Sequence, residues 1–110
     1  MALIKANLLI DQGTDFTASI DIVDDNNDVV DLTGYTGRAQ LRKNYVSSTY
    51  YSFSVGISNT QGIVTLSMSS NTTANIEAGR YVYDCLLTDS NGSTTRLLEG
   101  VVTISAGVTK

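Results

Sequence analysis

A period of two in the hydrophobic pattern runs through almost the whole chain, and it constrains the fold more than any other feature. Successive side chains of a β-strand point to opposite faces, so this alternation predicts strands with one buried face. The predicted buried faces are Phe16, Ala18, Ile20 and Ile22; Tyr35, Gly37, Ala39 and Leu41; Tyr51, Phe53 and Val55; Val64, Leu66 and Met68; Tyr81, Tyr83, Cys85 and Leu87; and Leu98, Gly100, Val102 and Ile104.

Turn signals separate these strands at intervals of about 8–12 residues. Asp24–Asp28 is a polar turn cluster, and Asn91-Gly92 is a hairpin signal because both residues tolerate positive φ. Segment 69–79 contains Ser and Asn as candidate caps and a closing glycine, which predicts a single helical turn. We therefore expect an all-β fold, an antiparallel immunoglobulin-like β-sandwich of about seven strands with one short helical turn. Residues 1–110 form one domain in this interpretation, with 1–5 as an N-terminal arm.

The composition argues against several classes of partner. The formal net charge is −4, and the basic residues closest in sequence, Arg38, Arg42 and Lys43, are too few for a nucleic-acid footprint. The apolar N-terminal stretch is shorter than the ~20 residues of a membrane helix. It also lacks a preceding basic segment and is interrupted by Lys5, so it does not read as a signal peptide. We expect neither a nucleic-acid nor a membrane partner.

The lone cysteine, Cys85, lies in register with Tyr83 and Leu87 on an apolar face. A buried thiol acts as a small hydrophobe with a raised pKa. The chain has no histidine, which removes the commonest base for a catalytic cysteine and the commonest metal ligand. We interpret Cys85 as core packing and expect no catalytic residue, no cofactor and no enzymatic activity.

Two groups of acidic residues partly resemble known functional sites, one a calcium-binding loop and the other a pair of catalytic carboxylates. Asp24–Asp28 begins like a calcium loop, but Val29 stands where glycine is needed and Tyr35 where the bidentate glutamate is needed. We expect a solvated turn and no metal there. Asp84 and Glu99 fall on outer faces of adjacent hairpin strands. Sequence alone does not exclude a pair of catalytic carboxylates, but solvated surface is the better interpretation.

Tyr81 begins a late strand directly after Gly79-Arg80 and has two interpretations. In immunoglobulin-like sandwiches a tyrosine corner occupies this place, and its hydroxyl bonds to upstream backbone. The other interpretation is an ordinary core tyrosine. The sequence does not favour either.

The N-terminal stretch MALIKANLLI holds more apolar residues than one strand face can bury. Its alternation leaves Leu3 and Leu9 on the side opposite Ile4, Ala6, Leu8 and Ile10. A terminal strand is usually an edge strand, and free N–H and C=O groups on an edge recruit partners. We therefore predict that Leu3 and Leu9 bind a partner, with burial under a loop of the same chain as the alternative.

A second candidate surface is the irregular segment around KNYVSST, where Tyr45, Tyr50 and Tyr51 cluster. Exposed tyrosines are enriched in protein interfaces. We predict that Tyr45 and Tyr50 contribute to partner binding. The alternative is that Tyr50 and Tyr51 straddle a strand, one facing in and one facing out.

The order and spacing of several motifs resemble the N-terminal domain of phage baseplate upper proteins and similar tailed-phage virion proteins. The matching segments are Asp31–Gly34 (DLTG), Gly62–Leu66 (GIVTL), Gly79–Asp89 (GRYVYDCLLTD) and Leu97–Ile104 (LLEGVVTI). The resemblance spans residues 6–109. It implies a β-sandwich that joins virion components and has no catalytic residues. The chain ends at Lys110 without the long C-terminal extension common in the family. The expectation of an adaptor role is weakened to that extent, and a small stand-alone virion protein is a further expectation.

The expected function is that of a non-enzymatic structural protein of a tailed-phage virion, in the baseplate or tail. Its expected partners are other virion proteins, with self-association into a homo-oligomer left open. One alternative is a capsid decoration protein on the head. Another, from a different class, is a carbohydrate- or receptor-binding module. The chain's lack of tryptophan weighs against a sugar site, which usually presents aromatics and side-chain amides in a concavity.

Overall fold

A computed structural model describes residues 4–23, 26, 28–58 and 60–108. Strands predominate in this part of the chain, as the alternation predicts, and the single helical segment falls within 69–79. The elements are β1 (Ile4–Lys5), β2 (Leu8–Asp11), β3 (Phe16–Asp21), β4 (Thr36–Arg42), β5 (Tyr50–Ser58), β6 (Ile63–Met68), α1 (Ser70–Ala74), β7 (Gly79–Thr88) and β8 (Thr94–Ser105).

The described strands form one curled sheet in the order β1-β8-β7-β4-β5-β6-β3, with β2 also paired to β8. The long strand β5 allows the sheet to curl. Its first half, up to Phe53, pairs with β4, whereas its second half, Ser54–Ser58, pairs with β6. The two ends of the sheet thereby enclose a common interior.

The sheet is mixed, not purely antiparallel as the turn pattern suggested. Both β1 and β2 run parallel to β8, with Ile4 opposite Leu98 and Leu8 opposite Val102. The other described strand pairs are antiparallel. Short turns impose antiparallel neighbours, whereas strands far apart in sequence are free to pair in either direction. The first and last strands are in that second situation, so local signals did not reveal their direction.

The core is one cluster to which both ends of the curled sheet contribute. Phe53 links them, because its ring centroid lies 6.0 Å from that of Phe16 on β3 and 6.1 Å from that of Tyr83 on β7. Fully or nearly fully buried side chains include Ile10, Ile22, Leu32, Leu41, Val64, Leu66, Ile76, Cys85, Leu87, Leu98, Val102 and Ile104.

The predicted buried faces are confirmed along β4, β6 and β7, and one position on β8 departs from the alternation. Leu97 was expected on the outer face, yet it is only 1% exposed. The cause is a β-bulge: Cys85 pairs with Leu98, and Leu86 pairs with Arg96. The extra residue shifts the register by one, so both Leu97 and Leu98 enter the core.

The short helix α1 is held by groups from the β2–β3 turn. The Thr73 hydroxyl donates to the carbonyl oxygen of Thr14 at 2.7 Å and accepts from the Gly13 amide at 3.1 Å. At the helix start, Ser70 N donates to a carboxylate oxygen of Asp15 at 2.7 Å, whereas Ser69 makes no side-chain cap. The carboxylate at the helix start therefore comes from a distant turn and not from Ser69. Asn75 is the C-cap, and its side-chain amide donates to the Asn71 carbonyl at 3.0 Å.

Candidate functional site

The edge formed by β1 and β2 carries the N-terminal candidate residues. Leu3 lies outside the described residues. Leu9 is 63% exposed, whereas its neighbour Ile10 is completely buried. The alternation predicted for this stretch is therefore present, and Leu9 faces solvent instead of lying under a loop.

Side-chain hydrogen bonds replace one regular ladder bond where this edge strand pairs with β8. In a regular parallel ladder the Val101 amide would donate to the carbonyl of Ala6. Here it donates to Oδ1 of Asn7 at 3.1 Å, and the Ala6 carbonyl accepts from the Tyr83 hydroxyl at 2.6 Å. A Cβ on Gly100 would lie 2.0 Å from that Ala6 oxygen, so only glycine fits between them.

The tyrosine segment between β4 and β5 is exposed at its tip. Tyr45 is 71% exposed, Val46 92% and Tyr50 48%. Tyr51 is half-buried and its hydroxyl donates to the Asn75 carbonyl at 3.3 Å. Tyr50 and Tyr51 therefore straddle β5, one facing out and one facing in, and the partner-binding role of Tyr45 and Tyr50 stays a prediction.

Local hydrogen bonds order this segment against Arg42, the last residue of β4. The Val46 amide donates to Oδ1 of Asn44 at 3.1 Å, which closes a tight turn. The Arg42 guanidinium donates to the Ser47 carbonyl and lies 4.8 Å above the Tyr50 ring centroid. Arg42 thus connects the sheet, the loop and the exposed tyrosine.

A shallow concavity of about 270 Å³ lies on the outer face of β4 and β7, beneath Tyr45. Its outer-facing lining combines an aromatic ring, an amide, two guanidinium groups, a carboxylate and two aliphatic side chains. These residues are Gln40, Arg42, Tyr45, Val82, Asp84, Leu86 and Arg96.

The same outer face collects most of the basic side chains of the molecule. The chain has seven Lys and Arg residues, and five of them project from this face of β1, β4, β7 and β8. These five are Lys5, Arg38, Arg42, Arg80 and Arg96. Sequence inspection missed this grouping because it compared only residues adjacent in sequence, and β-sheet register brings distant residues together. The signal was present in the period of two, since all five alternate with core positions.

Two carboxylates lie within this basic face. Asp84 and Glu99 are directly paired across β7 and β8, in the outer position predicted from sequence. Arg96 bridges them, with its Nε 3.4 Å from Asp84 Oδ2 and an Nη 3.8 Å from Glu99 Oε2. The Arg96 guanidinium therefore lies between the two carboxylates and joins them in an ion-pair network.

Cys85 is completely buried, and burial raises the pKa of its thiol to about 11. Burial likewise raises the pKa of Tyr83 to about 12.

In the described ranges no group of three or more Cys, Asp or Glu residues is arranged to hold a metal ion. Val23 and Val29, which flank the Asp24–Asp28 segment, form an isolated antiparallel bridge. Residues 24, 25 and 27 lie outside the described residues, so the solvated turn expected there stays a prediction.

Tyr81 forms the hydrogen bond of a tyrosine corner. Its hydroxyl donates to the Glu77 carbonyl, four residues upstream, at 2.7 Å. Its ring is 8% exposed and lies beneath Lys43, whose Nζ is 4.9 Å from the ring centroid. The hydrogen bond expected of the corner is therefore present, and the ring is also part of the core, as the other interpretation required.

Comparisons with known proteins identify a distant structural likeness only. No family model matches the chain, and no curated protein sequence matches it. Among solved structures, the fold is similar to part of an internalin-like protein from Listeria monocytogenes, with 14% sequence identity and a TM-score of 0.49. The match covers 96% of this chain and 28% of that protein. No helix in the described portion is long and apolar enough to cross a membrane.

Proposed function

We propose that the chain is a non-enzymatic structural protein of a tailed-phage virion, in the tail or baseplate, that binds other virion proteins. The observation that carries this proposal is the placement of exposed apolar side chains. Leu9 projects from an edge strand, and Tyr45, Val46 and Tyr50 project from the loop after β4. Exposed apolar and aromatic side chains beside strand edges are typical of association surfaces.

The motifs that carry the phage resemblance support the proposal through their roles. Asp31 accepts hydrogen bonds from the amide and hydroxyl of Thr33, at 3.0 and 2.6 Å, and so closes the DLTG turn. Gly100 lets the Ala6 carbonyl of the edge strand come close to β8, and the Tyr81 hydroxyl forms the corner hydrogen bond to the Glu77 carbonyl. Each of these residues builds the scaffold, as expected of a family whose role is attachment.

We also propose that the curled sheet is an immunoglobulin-like β-sandwich. The corner formed by Tyr81 and the long strand β5, shared between the two halves of the sheet, support this assignment. The central cysteine supports the non-enzymatic role, because Cys85 is buried and its raised pKa keeps the thiol protonated near neutral pH.

Immunogold labelling of purified particles tests the proposal. Particles of the virus that encodes the chain are treated with an antibody against it and imaged by electron microscopy. Label at the tail or baseplate is the expected result, and label over the capsid would favour the decoration alternative. Absence of both label and the chain's tryptic peptides from purified particles would refute a virion role.

The concavity beneath Tyr45 favours one second candidate, a carbohydrate-binding module. It places an exposed aromatic ring beside the amide of Gln40 and the carboxylate of Asp84, which is the combination that a sugar site needs. A glycan array discriminates between the two functions. Saccharide binding that is lost in both Tyr45→Ala and Gln40→Ala would support the module.

A further inference from the structure

We propose that the basic outer face docks an acidic segment of a partner protein, whose carboxylates pair separately with Arg42 and Arg96 beside the Tyr45 ring. This inference rests on the proposed binding role and names the chemistry of the partner. Lys5, Arg38 and Arg80 extend the same face beyond the concavity.

The charge distribution carries the first step. The chain as a whole is acidic, with a net charge of −4, yet five of its seven basic residues share the outer face of β1, β4, β7 and β8. The carboxylates of these strands on that face are Asp84 and Glu99, and Asp11 lies on the adjoining strand β2. Such a face selects partners of opposite charge and accelerates their encounter. The complement of a basic face on an acidic protein is a carboxylate-rich surface.

The arginines at the concavity are held in place before any partner binds. Arg96 contacts Asp84 and Glu99, and Arg42 contacts the Gln40 side chain at 3.0 Å and the Ser47 carbonyl. A guanidinium group has five N–H donors, so both side chains retain donors for a ligand. Side chains that are already ordered lose less entropy on binding, and the planar donor array matches a carboxylate in bidentate geometry.

The two carboxylates on the face argue for a protein partner over nucleic acid. Asp84 and Glu99 lie between the arginines and interrupt the basic surface, so it offers separated positions for anionic groups and no continuous track for a row of phosphates. A concavity of about 270 Å³ accommodates individual side chains, and the Tyr45 ring at its rim adds apolar contact. Separate carboxylates of a peptide are able to pair with the arginines one at a time.

Titration of the full ¹⁵N-labelled chain with a blocked hexaglutamate peptide tests the proposal, with a short DNA duplex as the phosphate probe. We expect amide shifts to concentrate in 40–45, 82–86 and 96–101, and the affinity to fall with added salt. Shifts scattered over the molecule, or tighter binding of the duplex than of the peptide, would overturn the assignment of the face to an acidic protein.

Matched variants separate this site from a general charge effect. Arg96→Gln is expected to weaken peptide binding about fivefold, the upper value for one solvent-exposed ion pair. Lys43→Gln removes the same charge from a side chain that packs on Tyr81, away from the face, and is expected to change the affinity much less. Equal losses of peptide affinity in Arg96→Gln and Lys43→Gln would refute the assignment of the binding site to the basic face. Arg38→Gln provides a second test that leaves the Arg96 network intact.

The peptide titration needs no virus particle, so its result is independent of the labelling experiment. Gold label at the tail together with no peptide binding would reject the acidic partner and keep the virion role. Peptide binding at the face without any gold label on the particles would reject the virion role and keep the acidic partner.

Discussion

The hydroxyl of Tyr83 on β7 donates a 2.6 Å hydrogen bond to the carbonyl of Ala6, 77 residues earlier in the chain. The bond passes over Gly100 on β8, the strand that separates them. The core tyrosine thereby holds the edge that presents Leu9 to solvent. Packing in the interior and the shape of a candidate interface are coupled at this point.

Removing the Tyr83 hydroxyl is expected to loosen this edge. In Tyr83→Phe the partly buried Ala6 carbonyl loses its partner, which costs about 1–2 kcal/mol in the free energy of unfolding. Urea denaturation measures the loss, and hydrogen exchange should accelerate first in residues 4–11. The control is Tyr51→Phe, whose hydroxyl bond to Asn75 is longer and exposed. Equal destabilisation by the two variants would contradict a special role for Tyr83.

Replacing Gly100 by alanine is expected to displace β1. The new Cβ would lie 2.0 Å from the Ala6 oxygen and 2.8 Å from the carbonyl carbon, both backbone atoms. The resulting strain should destabilise the fold by about 3 kcal/mol in urea unfolding. Gly56→Ala is the control, because the nearest atoms to its Cβ are 4.0 Å away. A Gly100→Ala protein as stable as Gly56→Ala would contradict the close contact between residue 100 and the Ala6 carbonyl.

Cys85 is expected to resist thiol reagents in the native protein. Its side chain is completely buried, and the pKa of about 11 leaves little thiolate at neutral pH. Labelling followed by mass spectrometry should therefore detect modification only after denaturant is added. Rapid stoichiometric labelling of the native chain would contradict the core position.

Alkaline pH should destabilise the fold through the same buried groups. The pKa of Cys85 rises from 9.0 to about 11 on folding, and that of Tyr83 rises from 10.0 to about 12. Their protonated forms are favoured in the folded state, so their contribution is full below pH 9 and is lost between pH 9 and 12. Urea midpoints measured across this range test the loss. In Cys85→Ala the decline should begin near pH 10, where Tyr83 starts to titrate.

The N-terminal arm is expected to mediate association. Deleting residues 1–5 removes β1 and exposes part of β8, while Leu9→Ser removes only the exposed apolar side chain. Light scattering should show that both changes reduce the mass of any oligomer while circular dichroism retains the strand signal. A wild-type chain that stays monomeric at high concentration, and enters particles equally well without the arm, would exclude this role.

The alternation along the sequence determined which side chains form the core. Cys85, Leu66 and Leu41 are buried as their positions in the pattern require. Burial of one strand face depends on a period of two within a few residues, and each segment carries that information by itself. The position of α1 within 69–79 follows from similarly local turn and cap signals, although its capping carboxylate comes from Asp15.

Only the tertiary structure decided the parallel pairing of β1 and β2 with β8, the inward turn of Leu97 and the gathering of Arg38, Arg42 and Arg96 on one face. Each depends on how strands distant in sequence align. A one-residue bulge reverses the side-chain faces of a strand, and strand direction is free when no short turn joins the pair. Local pattern therefore assigns a residue to the interior or the surface, whereas long-range register decides which surface residues become neighbours.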